Sequence, residues 1–191
     1  MLVGNPSLFA IESSITHAYE RLSFRALGSF VIHVGGRSYG RRSTDSTMLA
    51  CSYDEVERRI AMRGSHTAAF ASEKGAEIAA AFRNALFAER LQDSYFGISR
   101  ADFSDLIWSK RLAWVPDGDE AFDDGSYVLQ FDVGDRVRLI AFKSRGEGHD
   151  PATLVDVWLL AEDFYFVLQR WHDAFETEWA STPKALEVDT Q

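Results

Sequence analysis

The chain has 191 residues, of which 46% are hydrophobic, and a formal net charge of −9. This length and apolar content can fill the core of one domain without disulfides or a metal, and the single cysteine, Cys51, excludes an internal disulfide and suggests a reducing compartment. The sequence has no signal-like N-terminus and no run of about 18 apolar residues, which predicts a cytoplasmic protein with no membrane partner.

Acidic charge is concentrated in the C-terminal part of the chain. Residues 1–116 contain 14 Lys and Arg against 12 Asp and Glu, whereas residues 117–191 contain 6 against 17. A surface of this kind repels nucleic acid and attracts a basic partner, so we expect no direct nucleic-acid binding. The alternative is a surface that only keeps the protein soluble.

The N-terminal part predicts a strand and then a hairpin. Asn5-Pro6 opens a turn, and residues 8–15 then have a period of two, in which Phe9, Ile11 and Ile15 lie on one predominantly apolar face, as in a strand. A Gly-Gly pair at residues 35–36 fits the two-residue turn of a hairpin over residues 30–40. The turn places Val34 opposite Arg37, and this register predicts a core face that comprises Phe30, Ile32, Val34 and Tyr39.

The middle of the chain has helical periodicity. Ser52 and Glu55 fit a capping box at the start of one helix, and Ser72 fits the N-cap of a second helix, whose apolar face includes Ile78 and Phe82. A short third helix is predicted around residues 101–107. The middle region therefore contributes helices between two strand-rich parts.

The C-terminal part predicts strands followed by a long helix. Residues 112–115 read as a strand, residues 126–133 and 136–143 as a hairpin, and residues 153–160 as a further strand. In the hairpin we expect the apolar end in the core and Arg138 at the rim. The helix over residues 162–180 is amphipathic. Its predicted core face includes Phe164, Leu168, Trp171 and Phe175.

This pattern favours an α+β fold in one domain, with a mainly antiparallel sheet, helices packed on it and a long C-terminal amphipathic helix. We expect the 30–40 and 126–143 hairpins to share one sheet. The domain is predicted to span residues 1–182, followed by a polar tail over residues 183–191.

Two N-terminal segments resemble a known family. They are GNPSLFAI at residues 4–11 and FVIHVGGRSYG at residues 30–40. Both are similar to the opening of the bacterial immunity protein 42 family, which is found beside toxin genes in polymorphic toxin systems, including contact-dependent inhibition. This chain has Asn5 where the family commonly has aspartate. The resemblance implies a non-catalytic protein that binds and neutralises a cognate toxin, and many toxins of these systems are nucleases with basic clefts.

Patterns typical of catalytic or metal sites fail in this sequence. The chain has no Gly-x-Ser-x-Gly elbow, P-loop, His-Glu-x-x-His or paired-cysteine motif. His172 and Glu176 share a helix face and could supply two metal ligands, although a solvated face is the simpler interpretation. We therefore expect no enzyme activity, no cofactor, no catalytic residue and no metal site. The alternative is a small-molecule-binding or enzymatic α+β domain whose pocket is built from scattered polar residues.

The densest acidic run, residues 117–125, is named the acidic loop. It does not match the EF-hand spacing, which leaves an exposed loop, an irregular ion site or a contact with a basic partner. With the family resemblance, we expect the contact with the toxin. The predicted partner-binding residues are Asp117, Asp119, Glu120, Asp123 and Asp124. The sequence does not predict the oligomeric state.

Overall fold

A computed structural model describes residues 1–44, 47–87, 92–114, 120–146 and 148–185. Within these ranges the chain forms four α-helices, two five-stranded antiparallel sheets and one two-stranded hairpin. In chain order, the strands and α-helices are β1 (Leu2–Asn5), β2 (Phe9–Ala18), β3 (Ala26–Val34), β4 (Arg37–Tyr39), β5 (Thr47–Met48), α1 (Leu49–Ala61), α2 (Gly75–Phe87), β6 (Ser94–Tyr95), β7 (Ile98–Ser99), α3 (Arg100–Ser109), β8 (Ala113–Trp114), β9 (Ser126–Val133), β10 (Arg136–Arg145), β11 (Gly148–His149), β12 (Val155–Leu160) and α4 (Ala161–Ser181). The α+β class and the long C-terminal helix are confirmed.

The two sheets are built from the two ends of the chain. The first has the order β1-β2-β3-β4, with β5 also paired to β3, and the second has the order β11-β10-β9-β8, with β12 also paired to β10. The prediction of one shared sheet is therefore wrong. The hairpins instead meet through their apolar faces, because Ile32 and Val34 of β3 share a buried cluster with Val128 of β9 and Val137 of β10.

Both predicted hairpin registers are confirmed. Val34 lies opposite Arg37 across the Gly-Gly turn, and Phe131 lies opposite Arg138 across the β9–β10 turn. The turn at Asn5 is also present, but it joins β2 to the additional strand β1, which the sequence analysis did not predict.

The second sheet is covered on both faces. Along β10, Val137 and Leu139 belong to the core shared with the first sheet, α1 and α4, whereas Ile140 and Phe142 belong to a second core under α2 and α3. Alternate side chains of a strand point to opposite faces, which places one residue after another in different cores. The central strands β9 and β10 are therefore buried over most of their length, and the buried side chains include the polar Gln130 and Arg138.

Helix α4 lies against both sheets through the predicted apolar stripe. Phe164, Leu168, Trp171 and Phe175 are buried, as expected. The Trp171 ring lies 5.2 Å from the Phe30 ring in an edge-to-face arrangement, and its indole Nε1 donates a hydrogen bond to the Ser13 hydroxyl at 3.0 Å. Trp171 thus joins α4 to β2 and β3 of the first sheet.

The two predicted helix caps are wrong. Helix α1 begins at Leu49, so Ser52 is buried inside the helix, and Met48 at the N-cap makes no side-chain hydrogen bond. Helix α2 begins at Gly75, three residues after Ser72. Local spacing suggested these starts, but Leu49 is buried in the core, and α1 therefore begins directly after β5.

Arg138 is buried rather than placed at the rim. Its Nε and Nη2 atoms donate to the two carboxylate oxygens of Asp156 at 2.9 and 2.6 Å, and Nη1 donates to the carbonyl oxygens of Ala71 and Glu73. A buried arginine requires such partners, and here they come from β12 and from the segment before α2. The partners are far from Arg138 in sequence, so the hairpin pattern alone did not reveal them.

None of the helices in the described ranges is long and apolar enough to cross a membrane. After α4, the chain turns alongside β2, where the Ala185 N–H donates to the Ala18 carbonyl at 2.7 Å. The remainder of the predicted tail, residues 186–191, lies outside the described residues, and the boundary at residue 182 stays a prediction.

Candidate functional site

The acidic loop is described only in its second half. Asp117 and Asp119 lie outside the described residues. Glu120 begins a short 3-10 turn and is exposed, and Asp123 is exposed as well. The structure therefore brings two of the predicted contact carboxylates to the surface at one place.

Asp124 has a structural role that separates it from its neighbours. It is half-buried, and its Oδ2 accepts from the Lys143 ammonium at 2.5 Å while its Oδ1 accepts from the Ser126 N–H at 3.1 Å. These contacts fix the start of β9 against β10. Asp124 is thus already neutralised by a cation of its own chain.

A second acidic region lies at the opposite end of the β9–β10 hairpin. It is a cleft of about 340 Å³, here named the α4 cleft, between the β9–β10 turn, the residues after α1 and the start of α4. Its charged lining residues are Arg63, Asp132, Asp135 and Glu162. Three carboxylates against one guanidinium give the cleft a net negative charge.

Local chemistry explains why these residues meet. Gly134 adopts a φ of 61°, which lets the hairpin turn within two residues. The Asp135 carbonyl accepts from the Ala161 N–H at 2.8 Å, so the turn satisfies a donor at the start of α4. Glu162 and Asp163 in the first turn of the helix are favoured by its dipole.

Asp132 forms the floor of the α4 cleft and is held by several donors. The Tyr165 hydroxyl lies 2.9 and 3.0 Å from its two carboxylate oxygens, and the His66 backbone N–H donates to Oδ2 at 3.1 Å. Burial and the adjacent Asp132 carboxylate raise the pKa of the Tyr165 phenol, which keeps it protonated as a donor. The carboxylate is therefore fixed in place before any partner arrives.

Behind the cleft, the polar contacts continue into the interior. Gln130 links Tyr165 to Arg59, whose Nη1 donates to the Gln130 Oε1 at 2.8 Å, and Arg59 pairs with Glu55 at 2.8 Å. Arg111 pairs with the same Glu55 carboxylate from the other side. Burial lowers the pKa of Arg59 to about 10, which still leaves it charged at neutral pH.

Two exposed apolar side chains lie beside the cleft, one at the end of β12 and one on the outer face of α4. Leu160, at the rim, is 50% exposed, and Phe166 is 60% exposed. Phe166 lies one turn beyond Glu162 and Asp163 on the solvent side of the helix, outside the apolar stripe that packs on the sheets. The Arg170 guanidinium lies over the Phe166 ring, 5.7 Å from its centre. Exposed aromatic side chains are enriched in protein interfaces.

The geometry does not favour a metal at the positions that the sequence left open. Glu176 forms an ion pair with Arg25 at 2.5 Å, and the His172 ring stacks on Tyr53 with 4.6 Å between ring centres. Across the described ranges, the structure places no three His, Cys, Asp or Glu side chains where they could hold a metal ion together.

Comparison with known proteins identifies the family. A sequence profile described as immunity protein 42 matches residues 1–174 of the 191. The chain belongs to this immunity protein family. The resemblance seen in the two N-terminal segments is confirmed and extends through most of the chain.

Among solved structures, this immunity protein is similar to the crystal structure of CdiI from Burkholderia dolosa AUO158. The sequence identity is 19%, the TM-score is 0.53, and the alignment covers 91% of this chain and 99% of that chain. At this identity the similarity shows a shared fold. No curated protein sequence matches the chain.

Sequence reasoning missed the α4 cleft. Its carboxylates at residues 132 and 135 belong to the β9–β10 hairpin, and only the tertiary fold brings the carboxylate at residue 162 of α4 to them. The available signals were the acidic excess after residue 117 and the position of Phe166 outside the apolar stripe of the last helix. The cleft forms only because the β9–β10 turn meets the start of α4, and neither signal predicts that contact.

Proposed function

We propose that this immunity protein binds its cognate toxin through exposed carboxylates of its C-terminal part and blocks the toxin without catalysis, in the cytoplasm. The observation that carries the proposal is the exposure of Glu120 and Asp123 within a family whose members are immunity proteins. Asp117 and Asp119 of the same loop complete the proposed contact. A toxin with a basic substrate-binding cleft, such as a nuclease, fits this surface best.

Electrostatics supports this role for the loop. Exposed carboxylates on a segment that leads into the rigid β9–β10 hairpin can project charge towards a basic partner, which accelerates association. Asp124 contributes little to such attraction because Lys143 already neutralises it. We therefore assign the contact to the loop carboxylates before residue 124.

The decisive experiment measures association with the toxin encoded beside the immunity gene. Reversing Glu120 and Asp123 to lysine should slow association at least 10-fold at low salt, and wild-type association should slow as salt rises, since the Debye length is about 8 Å at 0.15 M. A matched control reverses Glu57 and Asp105, which are exposed in the N-terminal part and give the same change in net charge.

The control separates local contact from overall charge. Equal slowing in both double variants would assign the effect to net charge, and wild-type association in the Glu120 and Asp123 variant would remove the loop from the interface. A purified wild-type protein that neither binds the toxin nor protects cells from it would overturn the proposed function itself.

A further inference from the structure

We propose that the α4 cleft is a specific docking site for an arginine or lysine side chain of the toxin, with Phe166 packing beside the inserted residue. This inference rests on the proposed function and names a second contact, separate from the acidic loop. The two regions lie at opposite ends of β9 and β10, so they can be tested independently.

Charge in the cleft selects a cation. Asp132, Asp135 and Glu162 face one arginine, Arg63, whose guanidinium lies over the Tyr165 ring at 5.1 Å. Asp132 is 8% exposed, so water screens its charge less than that of a surface carboxylate. A guanidinium or ammonium group entering the cleft would therefore meet a carboxylate that is already desolvated and oriented.

The start of a helix would ordinarily favour an anion, and this one does not. The Ala161 N–H is already bonded to the Asp135 carbonyl, and Glu162 and Asp163 place two negative charges in the first turn of α4. These charges offset the partial positive charge of the helix N-terminus. The site is therefore suited to a basic side chain rather than to a phosphate or carboxylate.

The volume of the α4 cleft and the residues at its rim fit a long inserted side chain. The cleft volume of about 340 Å³ exceeds that of several waters, each of which occupies about 30 Å³ in the liquid. Leu160 at the rim can cover the aliphatic stem of an arginine or lysine, whose charged head then reaches Asp132. Phe166, 60% exposed, provides apolar contact outside the cleft, where the partner's backbone would pass.

The test uses two variants of the full chain and the cognate toxin domain. Replacing Asp135 with Asn and Glu162 with Gln removes two charges and keeps side-chain size, and Phe166→Ala removes the ring. A matched control makes the same kinds of change in the N-terminal part of the chain: Glu57→Gln with Asp105→Asn removes two exposed charges, and Trp108→Ala removes an exposed ring.

We expect the double charge variant to raise the Kd for the toxin at least 10-fold and Phe166→Ala to raise the dissociation rate at least 10-fold. The control variants should change either quantity less than 2-fold. Thermal melting and circular dichroism establish that every variant is folded, and exposure of the substituted side chains makes this the expected result.

A scan on the toxin side identifies the inserted residue. Each exposed arginine and lysine of the toxin is replaced in turn, and each toxin variant is tested against the wild-type immunity protein and against the double charge variant. One toxin variant should bind the wild-type immunity protein much more weakly, but should lose little further affinity for the double charge variant. Wild-type affinity of both cleft variants would overturn this inference. If the Glu120 and Asp123 reversal still slows association in that case, the proposed function stands.

Discussion

Replacement of Trp171 tests the packing of α4 most directly. The side chain is fully buried, stacks on Phe175 with 5.2 Å between ring centres, and meets Phe30 edge to face at the same distance. Its indole N–H also donates a hydrogen bond to the hydroxyl of Ser13, which is itself buried. Trp171→Ala removes these contacts together and leaves a large cavity between α4 and the first sheet.

The expected loss of stability is about 3–5 kcal/mol, the range for a buried tryptophan or phenylalanine cut to alanine. We expect the upper half of that range because the Ser13 hydroxyl loses its partner, which costs about 1 kcal/mol. Trp171→Phe keeps an aromatic ring in the same space and loses mainly the hydrogen bond and part of the volume, so about 1–2 kcal/mol is expected.

Urea unfolding followed by circular dichroism measures these differences. With an m-value of about 2 kcal/mol per molar urea, a loss of 4 kcal/mol moves the midpoint down by about 2 M. Phe166→Ala on the same helix is the matched control, since its ring is exposed and should change stability by less than about 0.5 kcal/mol. A midpoint for Trp171→Ala within about 0.5 M of wild type, at unchanged m-value, would refute this packing.

Three further predictions concern the interior. Burial, together with the nearby charge of Arg59, lowers the pKa of His66 below its usual 6.5, although the Nδ1–H donating to the Lys110 carbonyl acts in the opposite direction. The contribution of the neutral ring to stability is therefore complete above pH 6.5 and is lost as the pH falls below 6.5. Urea midpoints should drop between pH 7 and pH 5, and the drop should be smaller in His66→Gln. An equal drop in both proteins would exclude this cause. Glu55→Gln leaves Arg59 and Arg111 without their shared carboxylate and should cost about 3–5 kcal/mol by urea unfolding; a loss below about 1 kcal/mol would show that the pair is not buried in solution. EDTA should leave the melting temperature unchanged, and a fall of several degrees that zinc or calcium reverses would reveal a structural metal.

Much of the local structure was readable from the sequence because its signals are local. The Gly-Gly turn requires positive φ at residues 35 and 36, and that requirement fixed the register from Val34 opposite Arg37 onwards. The spacing of apolar residues at three and four positions fixed which side of α4 is buried, including Trp171. The opening GNPSLFAI segment resembled the immunity protein 42 family, which the profile match over residues 1–174 confirms.

Pairings between distant segments required the tertiary structure. The apolar pattern of a strand shows which face is buried but not which other strands it pairs with. The sequence therefore did not distinguish one sheet from two sheets packed face to face. Arg138 illustrates the same limit, since its burial depends on a carboxylate from β12 and on carbonyl groups before α2. A charged residue reads as exposed until its partner is known.

The sequence by itself determined the secondary-structure types, the main hairpin registers, the apolar face of α4, the acidic character of the C-terminal part and the family resemblance. Only the tertiary structure decided where the charged side chains lie. It tied Asp124 to Lys143 and left Glu120 and Asp123 exposed. It also gathered carboxylates from the β9–β10 turn and α4 around one cleft, because hairpin closure and helix packing bring together residues whose separation along the chain carries no local signal.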